Sequence, residues 1–243
     1  MKLRENLASN LNRFFVGSAI LLVLFSTYFL TLDFFLYFFV AIFIFYEIYK
    51  SVLKSKNITI CLFLFFIILL LVNYFLITDF IFIIIVLSLF FLLSSIYFSE
   101  YFNIFFTLFI ISTLILISNL FLIDRNIIYL IISASFINDT LAYIVGSNIK
   151  GPLITPKISP KKTWSGTSIS FVITTFLFIY LDYNLFTSSI MAISLFYGDI
   201  YFSFIKRKLG IKDFSRMLST HGGVLDRLDS ITFLVIIFAI LNI

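Results

Sequence analysis

Nine runs of apolar residues follow one another along the chain, at 14–32, 34–49, 58–77, 79–98, 103–123, 127–147, 166–182, 185–205 and 222–243. A helix crosses the hydrocarbon of a bilayer with about 20 apolar residues, so this spacing predicts nine transmembrane helices, the second and seventh of them short. The runs are too long and too uniformly apolar for the alternating strands of a barrel, and a helix satisfies its own backbone amides where no water reaches. Composition agrees: 62% of the 243 residues are hydrophobic, 35 are Phe, and the mean hydropathy is +1.16. No soluble domain has an interior large enough to hide that much apolar side chain. The expected fold class is an all-α polytopic integral membrane protein.

Charge orients it, because Lys and Arg collect on the cytoplasmic side. Lys2, Arg4 and Arg13 precede the first run; Lys50, Lys54 and Lys56 follow the second; Lys150, Lys157, Lys161 and Lys162 follow the sixth; Lys206, Arg207, Lys208, Lys212 and Arg216 follow the eighth. With nine crossings all of these face one side, while the other side carries Asp33, Asp79, Asp124, Arg125 and Asp182. The N-terminus is therefore expected in the cytoplasm and the C-terminus outside. Residues 1–13 resemble the basic flank of a signal peptide, but no small-residue cleavage pattern follows, which predicts an uncleaved first helix. The lone Cys61 reads as a small buried hydrophobe that cannot form an internal disulfide.

The first five runs are almost bare of polar chemistry, with Glu47, Asn73 and Glu100 expected at or near span ends within reach of water. The chain accordingly divides into residues 1–125, a scaffold with a possible dimer contact, and residues 126–243, which carry the chemistry. In the sixth run, Asn138-Asp139-Thr140 is followed one turn later by Tyr143. A carboxylate in hydrocarbon costs a few kcal/mol on insertion scales, so it marks either a functional site or a polar contact between helices.

The next connection holds all three prolines, four lysines and the hydroxyls of Ser159 and Thr163. Proline fixes the backbone, and ammoniums and hydroxyls held that way suit a polyphosphate. Ordinary cytoplasmic loop charge, with or without attraction to anionic lipid, is the alternative.

In the eighth run, Asp199, Ser203, Lys206 and Arg207 are spaced i, i+4, i+7 and i+8, which places them on one helical face. The acid lies deeper than the bases, an order that suits a metal beside a phosphate. Lys208 falls off that face, toward lipid headgroups. Leu209–Thr220, with Lys212, Asp213 and Arg216, reads as a short interfacial helix, a site element or a mere anchor. His221-Gly222-Gly223 then opens the last run, and Asp226 and Asp229, three residues apart, can converge on one divalent ion. Arg227 can pair with a carboxylate or a phosphate. His221 lacks a second His or Cys for zinc and is read as site-lining.

These residues resemble a known family. Ser203-x-x-Lys206-Arg207-x4-Lys212-Asp213 followed by His221-Gly222-Gly223-x-x-Asp226-Arg227-x-Asp229 is similar to the signature of the phosphatidate cytidylyltransferases. Asn138-Asp139-x-x-Ala142-Tyr143-x-x-Gly146 and Ser159-Pro160-Lys161-Lys162-Thr163-Trp164-x-Gly166 resemble two further motifs of that family, in the same order. The first 125 residues resemble it only as a set of apolar helices. Ser165 stands where the family usually has Glu, and Ser219 where it usually has Pro or Gly.

The resemblance implies transfer of a cytidylyl group from CTP to phosphatidic acid, with magnesium and room for a second cation, by a homodimer at a bacterial-type cytoplasmic membrane. Its site would face the cytoplasm, and no nucleic-acid partner is expected. On that reading Asp199, Asp226 and Asp229 hold the metal, Lys206, Arg207 and Lys212 neutralise phosphates, and Arg227 belongs to the same catalytic set. Asn138, Asp139, Tyr143, Ser159, Lys161, Lys162, Thr163, Ser203, His221, Gly222 and Gly223 bind substrate. Two alternatives remain at this point: a CTP-dependent polyisoprenoid alcohol kinase, and an ion-coupled transporter using the intramembrane aspartates.

Overall fold

The computed structural model describes residues 18, 22–75, 77–215, 217 and 222–241, the side chains of 77–80 and 161 excepted. Its described helices are α1 (22–30), α2 (Asp33–Ile48, continued by a π turn, Tyr49–Leu53), α3 (Lys56–Phe75), α4 (Ile77–Tyr97), α5 (Phe102–Ile123), α6 (Arg125–Ile149), α7 (Trp164–Tyr180), α8 (Leu185–Lys208) and α9 (Asp229–Leu241). Between α6 and α7 lies a two-stranded antiparallel hairpin, β1 (Leu153–Thr155) and β2 (Ser159–Thr163). Five helical segments are long and apolar enough to cross a membrane, and three shorter apolar ones accompany them. The π turn explains why the second run looked short: it lengthens the segment to Asp33–Leu53, 21 residues. Large apolar side chains such as Phe34, Phe35, Phe75 and Phe82 cover the outer faces, as expected where lipid is the solvent. This is an all-α integral membrane protein carrying one small hairpin.

Polar side chains set the helix starts. Asp124, Thr163 and Asn184 each cap the helix that follows, accepting from the backbone N–H of Asn126, Gly166 and Thr187. Lys54, Lys150 and Asp182 adopt positive φ where segments end. At one end of the bundle Asp33 accepts from Tyr129 Oη and pairs with Arg125 at 3.3 Å, and Arg125 also lies over the Tyr28 ring. This cluster ties the α1–α2 turn to the α5–α6 turn.

Helix α5 runs through the core, with Phe106, Phe109, Ile110 and Leu114 buried, and packs against α4, α6 and α9. Association in lipid gains little from hydrophobic burial and relies on close packing of small residues. Gly166 of α7 sits against the backbone of Ala142 and Gly146 in α6, and Gly198 of α8 against the backbone of Asp229 and Ser230 in α9. These two approaches bring α6, α7, α8 and α9 together around the polar residues.

Several local expectations change. Residues 209–215 form turns and bends, tied to α8 by Ile211 N–H on the Lys206 carbonyl, where a helix was expected; Arg216 and residues 218–220 lie outside the described residues. Asp226 is on a separate 3-10 turn, Leu225–Arg227, and α9 begins only at Asp229. Glu47 and Asn73, expected near water, are buried, while Glu100 is exposed. Lys208 Nζ lies over the Phe102 ring at 4.2 Å and donates to the Ser95 carbonyl at 3.5 Å. Cys61 is exposed on α3, toward the surroundings of the bundle.

A methyl group at Gly198 would run into the α9 backbone. Gly198→Ala is expected to cost about 1–3 kcal/mol, the usual penalty of overpacking, measured as a lower unfolding midpoint in detergent. An unchanged midpoint would contradict the α8–α9 contact.

Candidate active site

A cleft of about 290 Å³ opens between α6, α7, α8 and the hairpin. Helix α6 contributes Asn138, Asp139 and Tyr143, β2 contributes Ser159, Lys162 and Thr163, and α8 contributes Asp199. Three segments separated in sequence therefore line one space. The hairpin presents Lys162: Trp164 N–H donates to the Pro152 carbonyl and Ser165 Oγ donates to the Lys150 carbonyl, closing the strands onto α7. Ser165 thus has a local structural role at the position where the motif usually carries Glu.

Three of the four aspartates in the site have a lysine partner. Lys162 Nζ pairs with Asp199 and lies 5.4 Å from the Phe196 ring centre. Lys206 Nζ is 3.0 Å from Asp226 Oδ1 and 3.9 Å from Asp229 Oδ2. Asp226 Oδ2 accepts from the backbone N–H of Phe214 and Gly223, each at 2.9 Å. Asp139, Asp199 and Asp229 are near enough to act on one another electrostatically, and Lys162 and Arg227 act on Asp139. Four carboxylates therefore face three cationic side chains in a poorly hydrated place.

That surplus of carboxylates is a candidate for holding a divalent cation. Among the described residues no three ligating side chains already converge into a metal cage. Magnesium does not require one, because it keeps several waters and shares one or two carboxylates with substrate phosphates. Asp139 and Asp199 at the cleft, and Asp229 near Lys206, are the carboxylates that could share such an ion. Asp226, expected as a third ligand, meets the Lys206 ammonium and the amides of Phe214 and Gly223, and so also organises its own loop.

The other expected residues fall into place unevenly. Asn138 and Ser203 are buried. Arg207 was expected to share the face of Lys206; instead its Nε donates to the Ile158 carbonyl at 3.1 Å and Nη1 to the Ile211 carbonyl at 3.2 Å. It ties the hairpin to the end of α8, since one further residue of helix turns it from the loop toward β2. Lys212 is exposed on the segment after α8. His221 and the Lys161 side chain lie outside the described residues. Gly222 has φ +78°, and a Cβ there would lie 2.8 Å from Asp226 Oδ2, so both backbone and space require glycine.

Sequence reasoning missed Glu47. Its side chain, at the end of α2, is fully buried. Oε1 accepts from Ser215 Oγ at 2.6 Å and from Val224 N–H at 2.9 Å, and Oε2 accepts from Leu225 N–H at 2.8 Å. Its partners are 168 to 178 residues away. Beyond this loop lies an apolar cavity of about 540 Å³, lined by Leu36, Val40, Ile117, Ile131 and Val235 among others, with Arg227 also on its wall.

The sequence profile of the cytidylyltransferase family matches residues 11–243. The chain belongs to this family. It is 37% identical over 121 residues to the phosphatidate cytidylyltransferase of Rickettsia conorii, covering 43% of this chain and 53% of that protein. It is 39% identical over 109 residues to the Rickettsia felis phosphatidate cytidylyltransferase (38% and 48% covered), and 37% over 115 residues to that of Aquifex aeolicus (43% and 42%). These matches span about half the length of the curated relatives.

Asp226 and Asp199 should respond differently to neutralisation. Asp226→Asn leaves Lys206 short of its close partner and sets an amide against two backbone N–H groups, a loss on the scale of about 3–5 kcal/mol for a broken buried pair. Asp199→Asn touches a partly open pair and is expected to cost less. Thermal unfolding in detergent checks the order; equal midpoints would contradict it.

Proposed function

We propose that the protein transfers a cytidylyl group from CTP to phosphatidic acid, giving CDP-diacylglycerol and pyrophosphate in phospholipid biosynthesis. The observation that carries this reading is the meeting of Asn138, Asp139, Tyr143, Ser159, Lys162, Thr163 and Asp199 at one cleft, together with an apolar cavity whose wall carries Arg227, a residue that acts electrostatically on Asp139. The names of the relatives in Rickettsia and Aquifex support it. In this reading CTP enters the polar cleft and the lipid tails occupy the apolar cavity, with the lipid phosphate beside Arg227. The charge asymmetry of the connections supports nine crossings with the N-terminus inside; on that topology the cleft lies at the cytoplasmic face of the membrane, where a soluble nucleotide can meet a substrate whose tails stay in lipid.

The chemistry asks little of the protein beyond position and charge. An oxygen of the lipid phosphate bonds to the α-phosphorus of CTP, the bond from that phosphorus to the β-phosphate oxygen breaks, and pyrophosphate leaves. A phosphate monoester is already largely ionised near neutral pH, so no general base is needed. Magnesium, held by Asp199 and Asp229, would supply positive charge to the phosphates. With a cation held by these carboxylates, the Lys162 ammonium beside Asp199 and the Lys206 ammonium beside Asp229 would be available to phosphates. Ser159 and Thr163 offer hydroxyl donors on the hairpin side, and Asn138 an amide from α6. Preorganised charges of this kind act strongly where water is excluded.

Purified protein with CTP and magnesium is expected to release pyrophosphate only when phosphatidic acid is present. Asp199→Asn should lower that rate on the order of a hundredfold, the scale for loss of one charge-stabilising group, with the protein still folded. Release of CDP instead of pyrophosphate, or normal rates in Asp199→Asn, would contradict the proposal. Single cysteines at Lys50 and Asp124, in a Cys61→Ala background, should label from opposite sides of sealed vesicles. Labelling from the same side would overturn the orientation.

A further inference from the structure

We infer that Glu47, from the end of α2, is a positioning residue that holds the loop of Asp226 in its working shape. This rests on the cytidylyltransferase reading of the site. The carboxylate is fully buried, and such a group persists only where donors converge on it. Here three do: the Ser215 hydroxyl and the backbone amides of Val224 and Leu225.

Those donors belong to the same two segments that Asp226 grips. Asp226 takes the amides of Phe214 and Gly223; Glu47 takes the hydroxyl of Ser215 and the amides of Val224 and Leu225. Two carboxylates, one from each half of the chain, therefore clamp neighbouring rungs of the segment after α8 and the loop before α9. The paired glycines fit this arrangement. A Cβ on Gly222 would strike the Asp226 carboxylate, and a Cβ on Gly223 would strike the Glu47 carboxylate and Ser215 Oγ.

Lys206 reaches Asp226 and Asp229 across this same loop, so a shift of the Val224–Leu225 backbone moves the acids relative to the ammonium. Glutamine at position 47 retains size and polarity but turns a donor toward backbone donors. It would loosen the loop without opening a cavity in the bundle.

The test uses the full-length protein in lipid–detergent micelles, with Glu47→Gln beside wild type and the exposed Glu100→Gln as control. The first readout is turnover of CTP and phosphatidic acid per folded molecule. The second needs no activity: the rate at which a maleimide labels Leu225→Cys in a Cys61→Ala background, with and without Glu47→Gln. Leu225 is fully buried, so labelling reports opening of the loop. Glu47→Gln is expected to lower kcat at least fivefold with the KM for CTP within threefold, and to speed labelling at least fivefold. A smaller change in either kcat or labelling overturns the assignment, because a residue that only supports the fold alters the folded amount and not the properties of each folded molecule. If Glu47→Gln gives no folded protein, Ser215→Ala, which removes one donor, should speed labelling at least twofold, and no change overturns the inference. A wild type that does not turn over CTP and phosphatidic acid contradicts the proposed function, and the labelling comparison still decides the role of Glu47 in the loop.

Discussion

A charge placed among apolar helices must find a partner, and the arrangement of this protein's second half follows from how its aspartates find theirs. Lys206 stands between Asp226 and Asp229 and thereby joins α8 to the 3-10 turn and to the start of α9. Lys162 reaches from the hairpin to Asp199 and fixes β2 over α8. Removing one partner from such a pair leaves an uncompensated buried charge, which costs far more than the pair itself contributes. The pairs thus specify geometry more than they add stability. On the proposed function they are also the groups that would meet a cation and a triphosphate.

Close backbone packing makes those pairs possible. Gly166 against α6 and Gly198 against α9 let four helices approach until their polar residues share one cleft. The same bundle leaves a large apolar cavity on the other side of the Asp226 loop. Arg227 is at that cavity and within electrostatic range of Asp139 in the cleft. A reaction joining a soluble nucleotide to a membrane lipid needs such a boundary between polar and apolar space.

Much of this was legible in the sequence because the signals were physical. Apolar runs of membrane length marked the helices, and a carboxylate at position 139 or 199 in such a run could not be ignored. Gly222-Gly223 announced a tight backbone approach. Other features had no such signal. Glu47 lies next to Tyr46, Tyr49 and Lys50 near the end of a run, where water is the default partner, and its real partners are distant backbone amides that carry no mark in the sequence. Arg207 was assigned a face by periodicity, which ignores the hairpin whose Ile158 carbonyl it meets. The hairpin itself has strands of three and five residues, one with a proline, too short for an alternating pattern to show. The segment after α8 has charges at helical spacing, but its amides are drawn to other partners, Phe214 N–H to Asp226 among them.

The central claim is that the cleft passes the nucleotidyl part of CTP to a lipid phosphate. Isotope placement tests it most directly. Purified protein in phosphatidic acid micelles with magnesium is given CTP labelled either at the α- or at the γ-phosphorus, and the lipid is extracted. The account predicts label in the lipid from α-labelled CTP and none from γ-labelled CTP, with the γ-label recovered in pyrophosphate. Lipid carrying the γ-label, or no lipid labelling from either, would contradict it.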